Sequence, residues 1–140
     1  MEKIRIAAAG DVHASPPLAQ RLAQSFATAA GEADLILLAG DLTTRGEPEQ
    51  AQVLAAACRP LTIPVVGVLG NHDYHAGCHD EVVEILTGAG LRILERSFVI
   101  LEMKGTEVGV AGTKGFVGGF PGAEIPDFGE PLMREVYRAT

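Results

Sequence analysis

Val65-Val66-Gly67-Val68-Leu69-Gly70-Asn71-His72-Asp73 is an apolar run that ends in a glycine and three polar residues. The apolar half predicts a buried strand, and the polar half predicts side chains delivered to one end of a sheet. In open α/β sheets, ligands bind outside the carboxyl ends of the strands. Two earlier stretches repeat the design: residues 4–10 lead into Asp11-Val12-His13, and residues 35–40 lead into Asp41. Three strands are therefore predicted to end in metal-ligand chemistry.

Between these strands the sequence reads as helix. Ser15-Pro16-Pro17 is a helix-start pattern with a capping hydroxyl and proline in the first turn. Leu18, Leu22 and Phe26 follow at four-residue spacing, and Gly31 is the expected stop. Pro48 opens a second helix with Val53, Leu54, Ala57 and Cys58 inward, ended by Pro60. Asp80 is the expected cap of a third, with Val82, Val83 and Leu86 in its apolar pattern and a glycine-rich close at 88–90. A short strand is expected over 91–94. Residues 98–103 and 106–111 flank Lys104-Gly105, which predicts a tight hairpin. Residues 112–122 are expected to be irregular, and 131–139 to begin a final helix. Strand and helix alternate first and a hairpin follows, so the expected fold class is α/β: a mainly parallel sheet with an antiparallel hairpin extension. The whole chain, 1–140, reads as a single domain.

A chain of 140 residues is long enough to bury a core, roughly two-thirds of its unfolded surface. Eighteen acidic against eleven basic residues give a net charge of −7, which disfavours nonspecific binding to nucleic acid or an anionic membrane. The apolar runs fall far short of the roughly 18 residues of a membrane span, and Asp11 interrupts the N-terminal run before it resembles a signal segment. A cytoplasmic location is expected. Cys58 and Cys78 do not make a disulfide framework.

Asp11 and His13 are two apart, so on an extended segment their side chains leave the same side and can converge on one ion. A carboxylate with an imidazole suits Mn, Fe or Zn better than Ca or Mg. Asp41 can bridge two ions, and Asn71 offers an amide oxygen to the second. The expected cofactors are two divalent metal ions, which at about 3.5–4 Å separation hold a hydroxide and clamp a phosphoryl group. His72, pointing away from its neighbour Asn71, is the expected general acid, and Asp73 either orients its imidazole or serves as a turn carboxylate that accepts backbone N–H bonds.

Gly10-Asp11-Val12-His13, Gly40-Asp41 and Gly70-Asn71-His72-Asp73, in this order and each after a predicted strand, resemble the calcineurin-like metallophosphoesterases. The resemblance spans about the whole chain and includes Ala111-Gly112-Thr113-Lys114-Gly115-Phe116. It implies a metallophosphoesterase-like α/β sandwich, and a hydrolase active as a phosphatase or phosphodiesterase on a phosphate-ester small molecule or nucleotide. It implies Asp11, His13 and Asp41 on one metal, Asp41 and Asn71 on the other, and His72 as the acid. The family's later histidine motifs have no match, because His13, His72, His75 and His79 all precede residue 80. The fold is accordingly expected to be incomplete at its C-terminal end, with a missing second half or another copy of the chain completing the site.

Other readings compete. A noncatalytic metal-binding or protein-interaction module on the same fold is the alternative to an enzyme. A dinucleotide-binding domain is excluded, since Gly10-Asp11-Val12-His13 lacks the Gly-x-Gly-x-x-Gly turn. His75, Cys78 and His79 have ligand types but no fourth partner, which predicts a solvated loop. Thr43, Thr44 and Arg45 follow Asp41 at the same sheet edge, with turn chemistry and surface charge as their expected role and contact with substrate as the alternative. Lys114 does not stand in P-loop order, so a flexible loop is expected there. Phe116, Phe120 and Phe128 are expected to cover core, with a pocket rim as the alternative.

Overall fold

A computed structural model of the chain describes residues 2–115, 119–120 and 123–124. Four short strands, β1 (Ile6–Ala9), β2 (Leu35–Ala39), β3 (Val65–Val68) and β4 (Arg92–Ile93), form a parallel sheet in the order β1-β2-β3-β4. Their registers pair Ile6 with Leu35, Leu38 with Gly67 and Gly67 with Ile93. The crossovers are helical: α1 (Ala19–Glu32), α2 (Pro48–Cys58) and α3 (His79–Gly88). When strand order follows chain order and each crossover takes the usual right-handed path, the helices share one face of the sheet.

Core composition agrees with that arrangement. Ile36, Leu38, Val65 and Leu69 pack with Phe26 of α1, Leu54 and Cys58 of α2, and Val82 and Leu86 of α3. The alternate residues Leu35, Leu37, Val66 and Val68 face the other way, onto Leu101, Met103, Val99, Val108 and Val110. Those last five belong to the hairpin β5 (Ser97–Met103) and β6 (Thr106–Gly112). Both faces of the parallel sheet are thus covered near its centre, which is why the central strands β2 and β3 are apolar at every position.

The hairpin follows the predicted turn, with Lys104 and Gly105 both left-handed (φ 51° and 71°) as a two-residue turn of this hand requires. The expected antiparallel extension is present, and the structure adds how it is attached. It does not extend the parallel sheet through hydrogen bonds; it forms a separate two-stranded sheet stacked on the face opposite the helices. The turn is tied to the far end of the sheet: Lys104 Nζ donates to Asp34 Oδ2 at 2.9 Å and to the Lys3 carbonyl at 3.1 Å. The outward face of β5 stays uncovered, with Phe98 at 71% and Ile100 at 56% exposure, as does Ile6 of β1 at 50%.

Three boundaries shift for local reasons. Ser15 makes no capping bond, because two prolines follow it and the first free N–H, that of Leu18, donates to the Ser15 carbonyl in a 3-10 turn over Pro16–Leu18. The α-helix starts only at Ala19, and it runs through Gly31 to Glu32. Cys78, not Asp80, holds the cap position of α3, while Asp80 and Glu81 lie in the first turn where the helix dipole favours carboxylates. The close of α3 is as expected, Gly90 and Leu91 donating back to the Thr87 and Leu86 carbonyls. Two further short strands, β7 (Gly119–Phe120) and β8 (Ala123–Glu124), pair antiparallel within the expected irregular stretch and just beyond it. The helix expected over 131–139 and the aromatic positions Phe116 and Phe128 lie outside the described residues.

Candidate metal centre

All three motif loops leave the same end of the parallel sheet, and the first continues to run beside the second. Asp11, His13 and Ala14 donate their N–H groups to the carbonyls of Gly40, Asp41 and Leu42 at 3.2, 2.9 and 2.9 Å. The extended geometry expected for Asp11 and His13 is not what brings them together. Asp11 (φ 51°), His13 (φ 47°) and Asp41 (φ 48°) are all left-handed, a conformation that side chains with a Cβ rarely adopt. Such residues gather at functional sites, where surrounding structure holds them in place. With this backbone His13 Nε2 still approaches Asp11 Oδ1 to 3.7 Å.

Donor atoms of His13, Asp41 and His72 lie within 4.8 Å of one another, the one such trio among the described residues. The His13 and His72 rings meet edge to face, their centroids 4.6 Å apart. Asp41 Oδ1 accepts the His72 N–H at 2.9 Å. Gly70 allows this approach, since a Cβ there would collide with the Asp41 carboxylate and amide. Asp41 also lines a cavity of about 220 Å³, together with Gly40, Gly70, Asn71 and Gly115 among others. Asp41 therefore borders both the histidine pair and the space beside Asn71. His13 and Asp41, with the Asp11 carboxylate 3.7 Å from the His13 ring and Asn71 lining the adjoining pocket, are donor types that suit a divalent transition metal, so the residues fit the expected ions.

Of the two roles open to Asp73, the structure shows the carboxylate that accepts backbone N–H bonds. It is fully buried and does not bond the His72 ring. Its carboxylate accepts N–H groups from Leu42 at 3.0 Å, Thr43 at 2.7 Å and Gly70 at 2.8 Å, together with the Thr43 hydroxyl. It ties the Asp41 loop to the Asn71 loop. The His72 imidazole is held instead by a main-chain group, Nδ1 lying 2.8 Å from the Thr44 carbonyl. A carbonyl only accepts, so Nδ1 carries the proton and Nε2 is left for chemistry.

His75, Cys78 and His79 do not converge. The His75 ring stands 4.6 Å from that of His72, Cys78 Sγ turns to the Ala76 carbonyl, and His79 stacks on Tyr74 at 4.5 Å. Burial, aided by Glu95, Asp73 and Asp80, pushes the Tyr74 hydroxyl above its usual pKa. Lys114 is engaged there too, its ammonium 5.3 Å from the Tyr74 ring centroid.

The sequence profile of the calcineurin-like phosphoesterases matches residues 4–113. The chain belongs to that family. Fifteen solved chains are similar to this phosphoesterase-family chain, among them the crystal structure of TT1561 of Thermus thermophilus. That similarity has a TM-score of 0.60 at 19% identity, covering 98% of this chain and 62% of TT1561, and it concerns the fold alone. The family member described here thus spans less than two thirds of that neighbour's length. Among curated proteins none matches. No helix among the described residues is long and apolar enough to cross a membrane.

Proposed function

We propose that this chain carries the metal-binding and acid-base residues of a phosphoester hydrolase acting on a small phosphomonoester, phosphodiester or nucleotide. The observation that carries the reading is the convergence of His13, Asp41 and His72 at the carboxyl ends of the strands, in a chain of the calcineurin-like phosphoesterase family. Asp11, His13 and Asp41 would hold one ion, and Asp41 and Asn71 a second, as Mn, Fe or Zn. When bound, such ions supply Lewis-acid activation of water and neutralise charge on the phosphoryl group. His72 in its protonated form delivers the Nε2 proton to the leaving oxygen, while the Thr44 carbonyl keeps Nδ1–H engaged and the ring in place. The alternative reading is a noncatalytic metal-binding or protein-interaction module on the same fold. Two free thiols suit a cytoplasmic home.

The test is elemental analysis of protein purified without chelator, with hydrolysis of a nitrophenyl phosphodiester and monoester assayed on the same sample with and without manganese. Bound transition metal and manganese-dependent turnover, lost in Asp41→Ala, are expected. His72→Ala should lose turnover while keeping its metal. A metal-loaded chain that hydrolyses neither ester would favour the noncatalytic module.

A further inference from the structure

Thr44 contributes no ligand atom to the trio, yet it is bonded to the loops of both histidines. Its carbonyl accepts from His72 Nδ1 at 2.8 Å, and its hydroxyl shares one hydrogen between the His13 carbonyl at 3.0 Å and the Ala14 carbonyl at 3.3 Å. Its N–H donates to the Ala14 carbonyl at 3.3 Å. Turn chemistry, the role expected from sequence, would need bonds within its own turn; these bonds instead cross to segments 28 to 31 residues away. Thr43, its neighbour, fastens the same loop to Asp73 and so cannot move independently of it.

We propose that Thr44 is a positioning residue. Through its hydroxyl it fixes the His13 loop, and through its carbonyl it fixes the His72 ring, so it sets the separation of the two imidazoles and selects the His72 tautomer that presents Nε2. The use made of that tautomer in proton delivery rests on the phosphoesterase reading; the positioning itself does not. Removing the hydroxyl frees the His13 carbonyl and lets the segment that bears the Thr44 carbonyl drift, which acts on both rings at once. Partners one step removed from a metal typically alter its affinity by about 10–100-fold when lost.

The experiment compares Thr44→Ser, Thr44→Val and Thr44→Ala with the native chain. Ring nitrogen-15 spectra of the metal-free protein report the His72 tautomer, with His72→Gln identifying the signals, and calorimetry with manganese reports affinity. Serine keeps the hydroxyl, and it should keep the single Nδ1–H tautomer and manganese affinity within about twofold of native. Valine and alanine should show mixed His72 tautomers and manganese binding weaker by roughly tenfold or more. Alanine is included because it cannot overfill the site. Native spectra and affinity in both valine and alanine variants would overturn the proposal, as would serine falling as far as they do. If the tautomer shifts as described while the native chain with manganese hydrolyses no phosphoester, the positioning role stands and the phosphoesterase reading fails.

Discussion

Asp73 shows how one residue can be important for a reason other than the one its neighbours suggest. Its position next to His72 invites an acid-base role, but its oxygens are taken by three N–H groups and a hydroxyl in a site without solvent. Replacing it with asparagine puts an amide NH2 against donors, and leaving buried donors unpaired costs about 1–3 kcal/mol each. Asp73→Asn should therefore lower stability by roughly 2–3 kcal/mol in urea unfolding. It should still leave the His72 ring nitrogen signals on the Nδ1–H tautomer, because Thr44 holds that proton. The two cysteines part in the same residue-level way. Burial pushes the Cys58 thiol up to about 12, whereas Cys78 is half-buried in a loop. A thiol reagent at neutral pH should label Cys78 alone in the folded chain and both residues in denaturant.

At the scale of elements, β1 to β3 and the three helices were legible in the sequence because each of these strands is a compact apolar run and the helices have apolar residues at three- and four-residue spacing, whereas the two-residue strands β7 and β8 are too short to leave a pattern. The placement of the hairpin was not. Alternation over Val99, Leu101 and Met103 says that one face is buried, but not whether the partner is a strand edge or a sheet face. The site divides similarly. Asp11, His13, Asp41, Asn71 and His72 are visible as residue types at strand ends, while the left-handed backbone and the Thr44 carbonyl leave no mark in side-chain chemistry. The hairpin's anchor gives a test of its own. Asp34 is held below its usual pKa by the Arg5 N–H, and further by Lys104. A lowered folded value means the contribution is complete above the ordinary aspartate range, about 3.9, and fades as pH falls through the lower folded value. Asp34→Asn should thus melt earlier than the native chain at pH 6, and the gap between them should close below about pH 3.9.

For the whole molecule, a metal that binds only the folded chain must stabilise it. At a hundredfold excess of free ion over Kd the gain is about 2.7 kcal/mol, so manganese should raise the melting temperature and a chelator should reverse the rise. His13→Ala should blunt the response, since it removes a member of the trio. An unchanged melting temperature at millimolar manganese would argue against a site of useful affinity in this chain.

The strand order β1-β2-β3-β4 follows the order of synthesis. Each new strand is added to the edge left by the one before, so the sheet can grow in one direction as the chain emerges, without waiting for a later segment to be inserted. All three strand ends, both threonines and the Asp73 carboxylate lie within the first 73 residues, ahead of α3 and the hairpin. A nascent chain can gather the loops of the candidate metal centre first and receive the hairpin layer over its sheet last.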